Sequence, residues 1–208
     1  MEREKEPYVH YTPSLVIYHL SLIIDLNMPR FYTKTGDKGT SAVFGGKRLP
    51  KSSPLFTALG ALDETNAALG VVRVATKKRE LKIIVLALQD GLFRAGADIA
   101  TPRTQKTLVR RITMHDVQKL EARIDALAKH IPSLTQFVIP GESASGAYLH
   151  FARAVMRRAE CDAIRAQKLL ANPTLIPWLN RLSSLLFVLA LREDLATKKK
   201  FKHPSYRA

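Results

Sequence analysis

The fold is decided by residues 144–170, which read ASGAYLHFARAVMRRAECDAIRAQKLL. The apolar residues of this stretch recur every three or four positions, at Leu149, Ala152, Met156, Ala159 and Ala163. That spacing is typical of the buried face of an α-helix. An Asn-Pro pair at 172–173 then ends the pattern. We therefore predict one long helix over residues 144–170 that packs against other helices through this apolar face.

Four further segments have a helical pattern, over residues 54–75, 81–100, 114–131 and 174–194. Pro54 suits the first turn of a helix, and Thr113 with Asp116 resembles a capping box. Residues 30–54 read as a loop, and no strand of ordinary length lies between the helices, which argues against parallel α/β folds. We predict an all-α fold, a five-helix up-and-down bundle in a ferritin-like arrangement that is preceded by an N-terminal phosphate-binding loop.

The same pattern divides the 208 residues into three parts. Residues 1–29 are interpreted as an N-terminal extension, either disordered or the product of an upstream start, because Met28 would make a natural start. We expect residues 1–27 to be dispensable for folding and activity. Residues 30–195 form the helical-bundle domain, and residues 196–208 form a basic C-terminal tail that we expect to be frayed.

The composition is that of a globular protein with an unusual excess of positive charge. The chain has 33 Lys and Arg against 18 Asp and Glu, a formal net charge of +15, which points to an anionic partner such as nucleic acid, a membrane surface or a small molecule bearing phosphates. The single cysteine, Cys161, excludes an internal disulfide and a multi-cysteine metal site. The apolar stretch 15–24 is too short to span a membrane and follows an acidic start, so we expect a cytoplasmic protein.

The first candidate site is the loop over residues 33–41, which reads TKTGDKGTS. Glycines allow turns that direct backbone N–H groups inward, while hydroxyls and lysines add donors and positive charge. These are the groups that an oligophosphate requires. The loop is not a Walker A motif, and a solvated turn remains the alternative.

The second candidate is the polar face of the helix over 144–170. Arg153, Arg157 and Glu160 lie within about 60° of one another on a helix of 100° per residue. Arginines beside a buried face need carboxylate or phosphate partners, although an ordinary Arg–Glu ladder would also explain the spacing. The same question of ligand contact or structural role stays open for two other groups, Asp63-Glu64 and the helical set Asn180, Ser184 and Phe187.

Five segments carry a resemblance to a known family: 32–41 (YTKTGDKGTS), 62–70 (LDETNAALG), 137–141 (FVIPG), 151–160 (FARAVMRRAE), and 179–183 (LNRLS) with 186–187 (LF). In this order they resemble the PduO-type ATP:cob(I)alamin adenosyltransferases, from about Phe31 to Arg192. The resemblance implies a homotrimer of five-helix bundles with active sites between subunits. It also implies the reaction, transfer of the 5′-deoxyadenosyl group of ATP to the cobalt of cob(I)alamin, which forms adenosylcobalamin and triphosphate.

The resemblance further implies ligands and partners. ATP and cob(I)alamin are the substrates, and Mg²⁺ is held mainly through the ATP phosphates rather than by a protein metal site. A Co(II) reductase and a B12-dependent enzyme are candidate partners, whereas a membrane and nucleic acid are not expected.

The resemblance assigns roles to individual residues as well. Arg157 contacts the ATP phosphates, and Arg153 pairs with Asp63 of the adjacent subunit, so these three form the catalytic set. Phe137 and Phe187 line the corrin side and displace the lower axial base of the cobalamin, which eases reduction to Co(I). The implied ATP-binding residues are Thr33, Lys34, Thr35, Gly36, Asp37, Lys38, Gly39, Thr40, Ser41, Lys51, Arg157, Arg158, Glu160 and Asn180.

Two other functions compete with this one. The chain could be a basic helical nucleic-acid-binding protein without enzymatic activity, using the connector 103–111 and the tail, and its affinity would then fall steeply with salt. It could also be a scaffold that has kept the bundle and lost activity. Cys161 is the support for that reading, because it stands where the family's pattern has arginine.

Overall fold

The computed structural model describes residues 32–44, 47–102, 110–197 and 200–205. In these residues the chain forms a bundle of five α-helices, which confirms the predicted fold. They are α1 (Pro54–Ala75), α2 (Arg79–Ala100), α3 (Met114–Ala128), α4 (Ala144–Arg165) and α5 (Leu175–Leu195). The extension predicted over residues 1–29 lies outside the described residues.

The helix boundaries follow from capping groups that the sequence displays. Pro54 occupies the first turn of α1, where Ser53 Oγ accepts a hydrogen bond from the Leu55 amide. The predicted capping box of Thr113 and Asp116 is present at the start of α3. Two helices end earlier than predicted, since α3 stops at Ala128 and α4 at Arg165, after which Gln167–Leu169 forms a single 3₁₀ turn. The last turn at the C-terminus of an α-helix often tightens into a 3₁₀ turn in this way.

A small hairpin precedes the bundle where the sequence predicted only a loop. Strand β1 (Thr40–Ala42) pairs with strand β2 (Arg48–Pro50) in antiparallel register, with Ser41 opposite Leu49. Strands of three residues are too short to show an alternating pattern in the sequence, which is why they were missed. The Phe44 amide donates to the carbonyl of Ala100, so the hairpin is fixed at the end of the bundle where α2 terminates.

The apolar face predicted for α4 lies at the centre of the bundle. Leu149, Ala152, Met156, Ala159 and Ala163 are all fully buried, and α4 packs mainly between α1 and α5. The predicted inward positions of α5, including Trp178 and Leu182, are also buried. Because small alanines alternate with larger residues along α4, neighbouring helices can approach it closely over its whole length.

Helices α4 and α5 run antiparallel, as their side-chain contacts show. Ser145 near the start of α4 donates to Glu193 near the end of α5, at 2.7 Å between Oγ and Oε2. Further along, Asn180 near the start of α5 donates to Glu160, at 2.9 Å between Nδ2 and Oε1. Functional side chains on these two helices are therefore held in a fixed register.

A buried carboxylate, Asp98, organises the end of the bundle that carries the hairpin. It accepts hydrogen bonds from Arg111 Nη1 at 2.5 Å, from the Ile112 amide at 3.0 Å and from Asn172 Nδ2 at 2.6 Å. These contacts join α2 to the connector before α3 and to the connection between α4 and α5. A buried carboxylate with this many donors is well compensated for the loss of water.

By length and composition alone, α5 could cross a membrane. In the bundle, however, Leu179, Leu182, Leu185 and Leu186 of this helix are fully buried among the other helices. The apolar character of α5 is therefore explained by its position in the core.

Candidate functional site

The loop over residues 33–41 is held in a defined shape by hydrogen bonds of its own backbone. The Asp37 amide donates to Lys34 O and the Gly39 amide to Gly36 O, which makes two successive turns. Lys34 has a φ of 59° and Gly39 a φ of 75°, so both lie in the left-handed region. For a lysine this conformation is uncommon, and such residues concentrate at ligand-binding segments.

Two basic residues outside the loop close around it. Arg48 of β2 donates to the carbonyls of Thr35 and Thr40, at 2.6 and 2.9 Å, and to Thr40 Oγ1 at 3.1 Å. The Lys51 amide donates to Gly39 O, and the Lys51 ammonium lies 3.0 Å from where a side chain on Gly36 would begin. Because Gly36 has no side chain, the Lys51 ammonium can occupy this space. The predicted residue Lys51 is thus at the loop, and Arg48 is a loop-positioning residue that sequence reasoning missed.

The polar face of α4 carries the predicted arginines at different depths. Arg153 is half-buried, and its guanidinium lies over the ring of Phe187 at 5.6 Å from the centroid. Burial lowers the pKa of Arg153 below its usual range, and the nearby charge of Arg157 lowers it further. Arg157 itself is exposed. Within the described residues Arg153 Nε is buried without a hydrogen-bond partner, which favours a partner from outside the chain.

Two other predicted ATP-binding residues contact each other. Asn180 donates to Glu160 and in turn accepts from Arg181 Nη1 at 2.6 Å, while Arg181 Nε donates to Glu121 at 2.8 Å. This chain links α3, α5 and α4 and fixes the direction of the Asn180 amide.

The remaining predicted polar residues lie on the exposed side of the α1–α4 pair. Arg158 forms a salt bridge with Glu64, and this contact raises the pKa of Arg158. Asp63 is exposed and forms no salt bridge among the described residues of its own chain. Arg158 therefore has a partner within the subunit, whereas the carboxylate of Asp63 is available to another one.

The predicted aromatic residues Phe137 and Phe187 line one large cleft of about 1110 Å³ together with Arg153 and Arg157. The cleft is at the upper end of the volumes of ligand pockets, which suits a large ligand. Phe137 is 77% exposed and Phe187 is partly buried, so the cleft offers aromatic surface beside positive charge. The other lining residues include His150 of α4, the segment 134–138, Pro140, Pro204 and Ser205.

Part of the tail, expected to be frayed, is instead docked against the cleft. The Ile139 amide donates to Lys202 O at 2.8 Å, His203 Nδ1 and Phe137 O share a hydrogen bond of 2.8 Å, and Lys202 forms a salt bridge with Glu142. The expectation of fraying is therefore wrong for residues 200–205. The partners of the tail lie more than 50 residues earlier in the chain, in the segment 137–142, and a basic composition does not reveal such contacts.

The structure brings the predicted corrin-side residues together, but the predicted phosphate-binding loop does not line the same cleft. None of residues 33–41 lines it. The loop lies at the end of the bundle near Ala100, whereas Arg157 is eight residues before the end of α4, about 12 Å along the helix. Within one subunit, the predicted loop therefore forms no part of the cleft that Phe137 and Phe187 line.

The basic connector offered as a nucleic-acid surface is partly neutralised. Arg110 donates to Asp116 at 2.6 Å, and Arg111 pairs with Asp98. Residues 103–109 lie outside the described residues. The two described arginines of the connector therefore serve the bundle itself.

Comparison with known proteins identifies the family of this chain. The family described as cobalamin adenosyltransferase matches residues 31–193. The corrinoid adenosyltransferase PduO of Citrobacter freundii is 38% identical over 165 residues, which is 78% of this chain and 49% of that protein, so the chain spans about half the length of this relative. A second corrinoid adenosyltransferase of Citrobacter freundii is 39% identical over 169 residues, 80% of this chain and 96% of that protein.

Solved structures give the same result. A variant of the PduO-type ATP:corrinoid adenosyltransferase from Lactobacillus reuteri, complexed with cobalamin and ATP, has a TM-score of 0.79 and 26% sequence identity, and the match covers 85% of this chain and 97% of that one. Another variant of that protein, complexed with ATP, has a TM-score of 0.75.

Proposed function

Since the chain belongs to the cobalamin adenosyltransferase family, we propose that it is an enzyme that transfers the 5′-deoxyadenosyl group of ATP to the cobalt of cob(I)alamin. The observation that carries this proposal is the cleft that joins Phe137 and Phe187 to Arg153 and Arg157. It combines apolar surface for a large ring with positive charge for an anion. A cytoplasmic location is part of the proposal, because the cytoplasm supplies ATP and a reducing environment.

In the proposed reaction the protein does not supply the nucleophile. The electron pair of Co(I) forms the bond to C5′ of ATP, while the bond from C5′ to oxygen breaks and triphosphate leaves with the electron pair of that broken bond. The protein must therefore align C5′ with cobalt, neutralise the leaving group and exclude water. The exposed guanidinium of Arg157, beside the cleft, suits the second of these roles.

The triphosphate is assigned to the loop 33–41 and Lys51. The turns of the loop, the hydroxyls of Thr33, Thr35 and Thr40, and the lysine ammonium provide many donors in a small volume. Among the described residues, no three His, Cys, Asp or Glu side chains come together as a metal site. We assign Mg²⁺ to the ATP phosphates, whose charge it would partly neutralise.

The two phenylalanines are assigned to the lower face of the corrin. Apolar rings next to cobalt displace the axial base without offering a new ligand, and this loss makes Co(II) easier to reduce because Co(I) favours four-coordinate geometry. The ring of Phe187 is held in position by its neighbours: His150 packs against it at 5.8 Å between ring centroids, and the Arg153 guanidinium lies over it.

We assign the active site to the interface between subunits of a homotrimer. Three observations support this: the separation of the loop from the cleft, the exposed carboxylate of Asp63, and the unpartnered Nε of Arg153. A salt bridge from Asp63 of one subunit to Arg153 of the next would satisfy both groups and bring a neighbouring surface to the cleft.

The proposed activity is tested with Arg157→Ala, using the increase in adenosylcobalamin absorbance with ATP, Mg²⁺ and chemically reduced cob(I)alamin. We expect loss of product formation with unchanged helicity by circular dichroism. Arg123→Ala is the matched control, because Arg123 is an exposed arginine of α3 outside the cleft. Full activity of Arg157→Ala would overturn the assignment.

The interface is tested by mixing two inactive variants, Asp63→Ala and Arg153→Ala. If the two residues meet across subunits, random mixed trimers regain an intact pair in roughly a quarter of their sites. If both residues serve a site within one subunit, mixing restores no activity, and the interfacial assignment fails.

A further inference from the structure

The cleft contains a buried histidine that the proposed reaction does not use. His150 of α4 is only 4% exposed and lines the cleft beside Phe187 and Arg153. Neither of its ring nitrogens has a hydrogen-bond partner among the described residues. A buried polar group without a partner is costly, so an imidazole in this position indicates a partner that enters the cleft.

Asp194 of α5 lies close to His150 and also has an oxygen atom without a hydrogen-bond partner. Its Oδ1 is occupied, since it accepts from the amide and the hydroxyl of Ser143 at 2.9 and 2.7 Å. Its Oδ2 is buried, has no hydrogen-bond partner and lies 3.7 Å from His150 Nε2. A closing movement of less than 1 Å, or one bridging water, would satisfy both atoms.

This neighbour decides the tautomer of the imidazole. A carboxylate accepts only, so His150 must carry its proton on Nε2, and Nδ1 is then an acceptor. Burial lowers the pKa of His150, the charge of Arg153 lowers it further and Asp194 opposes both, so the net effect favours the neutral ring. The remaining partner of His150 must therefore be a hydrogen-bond donor.

We propose that His150, with its tautomer set by Asp194, is a specificity-determining residue whose Nδ1 accepts a hydrogen bond from a primary amide at the edge of the bound corrinoid. The inference rests on the proposed function and names the chemical group that the same cleft selects. A carboxylate in place of the amide would face the lone pair of Nδ1 and be rejected there. The neighbouring cations Arg153 and Arg157 act in the opposite direction and attract carboxylates, so the histidine supplies the selection for amides.

The test compares two reduced corrinoids: cobinamide, whose ring carries primary amides, and cobyrinic acid, in which carboxyl groups replace them. We expect the wild-type enzyme to have a higher kcat/KM with cobinamide. His150→Phe keeps an aromatic ring against Phe187 but has no acceptor, and we expect it to reduce this preference about tenfold through the KM for cobinamide, with the KM for ATP unchanged. His150→Asn places an amide oxygen near the position of Nδ1, and we expect it to retain more of the preference than His150→Phe.

A third variant tests the tautomer and does not remove the ring. In Asp194→Asn the side-chain oxygen can still accept from Ser143, while the new amide donates to His150 Nε2 and moves the imidazole proton to Nδ1. We expect the preference to shift toward cobyrinic acid. His130→Phe is the control, because His130 is an exposed histidine that does not line the cleft. Its preference should equal that of the wild type.

The outcomes separate this inference from the proposed function. Cob(I)alamin is assayed alongside the two test corrinoids, and if the wild type does not adenosylate it, the proposed function fails. If the wild type adenosylates cob(I)alamin but neither test corrinoid, the preference for amides is absent and the role of His150 is overturned. If it adenosylates both with equal kcat/KM, or if His150→Phe and Asp194→Asn keep the wild-type preference, the proposed function stands and the role of His150 is overturned.

Discussion

Replacing Arg48 with alanine tests whether the loop 33–41 is the ATP-binding element. Arg48 makes three hydrogen bonds to the loop, two to carbonyls and one to a hydroxyl. At an exposed site each is worth about 0.5 kcal/mol, so the three together stabilise the ordered loop by about 1.5 kcal/mol. If that ordering is required for ATP to bind, the KM for ATP should rise about tenfold in Arg48→Ala.

The assay is initial-rate formation of adenosylcobalamin, with ATP varied at saturating cob(I)alamin and then the reverse. The KM for the corrinoid should stay unchanged, because neither Arg48 nor the loop lines the cleft. The melting temperature should also change little, because Arg48 is exposed and its hydrogen bonds go to the loop rather than to the hydrophobic core. Arg123→Ala is again the matched control. An unchanged KM for ATP, or equal increases in both KM values, would refute the assignment of the loop.

Three other predictions test the loop, the cleft and the bundle. Gly39→Ala should raise the KM for ATP several-fold, because an alanine at a φ of 75° costs about 1 kcal/mol of backbone strain. A steric clash is not the cause, since no atom lies within 4 Å of the added carbon. A lower KM for ATP would contradict this prediction. Phe137→Ala should slow reduction of bound Co(II) more than adenosylation of pre-reduced cob(I)alamin, because displacement of the axial base matters for the reduction; equal losses would argue against this role of Phe137. Asp116 is buried, which acts to raise its pKa, but hydrogen bonds from Thr113 and the charge of Arg94 hold that pKa at about 2. Its stabilisation is therefore present above pH 4 and lost as the pH falls toward 2, so Asp116→Asn should lower the free energy of unfolding by about 2 kcal/mol at pH 7 and by little at pH 2. A denaturant titration at both pH values measures this, and a loss independent of pH would contradict it.

Much of the fold could be predicted because local signals and packing agree. The apolar spacing of α4, the proline that opens α1 and the capping box of α3 each point to the helix that forms. The hairpin could not be predicted in this way, since two three-residue strands depend on Arg48 and on the contact between Phe44 and Ala100 rather than on their own pattern.

For the site, helical spacing indicated the shared face of Arg153 and Arg157, but burial and long-range contacts were invisible. His150 lies one turn before Arg153 in α4 but was not singled out, because its lack of hydrogen-bond partners depends on packing against α5, which helical spacing does not reveal. The docked tail depends on hydrogen bonds between residues more than 60 positions apart, such as the backbone contact of Ile139 with Lys202 and the contact of the His203 ring with the carbonyl of Phe137. Contacts of this kind leave no periodic signal in a sequence.

The central claim is adenosyl transfer from ATP to cobalt, and the most direct measurement quantifies both products of one reaction. The wild-type protein is incubated with ATP, Mg²⁺ and cob(I)alamin under anaerobic conditions, and adenosylcobalamin and triphosphate are measured together. The account predicts equal amounts of the two, with neither formed by Arg157→Ala. Phosphate or pyrophosphate release without a cobalt–carbon product, or no consumption of ATP at all, would contradict it.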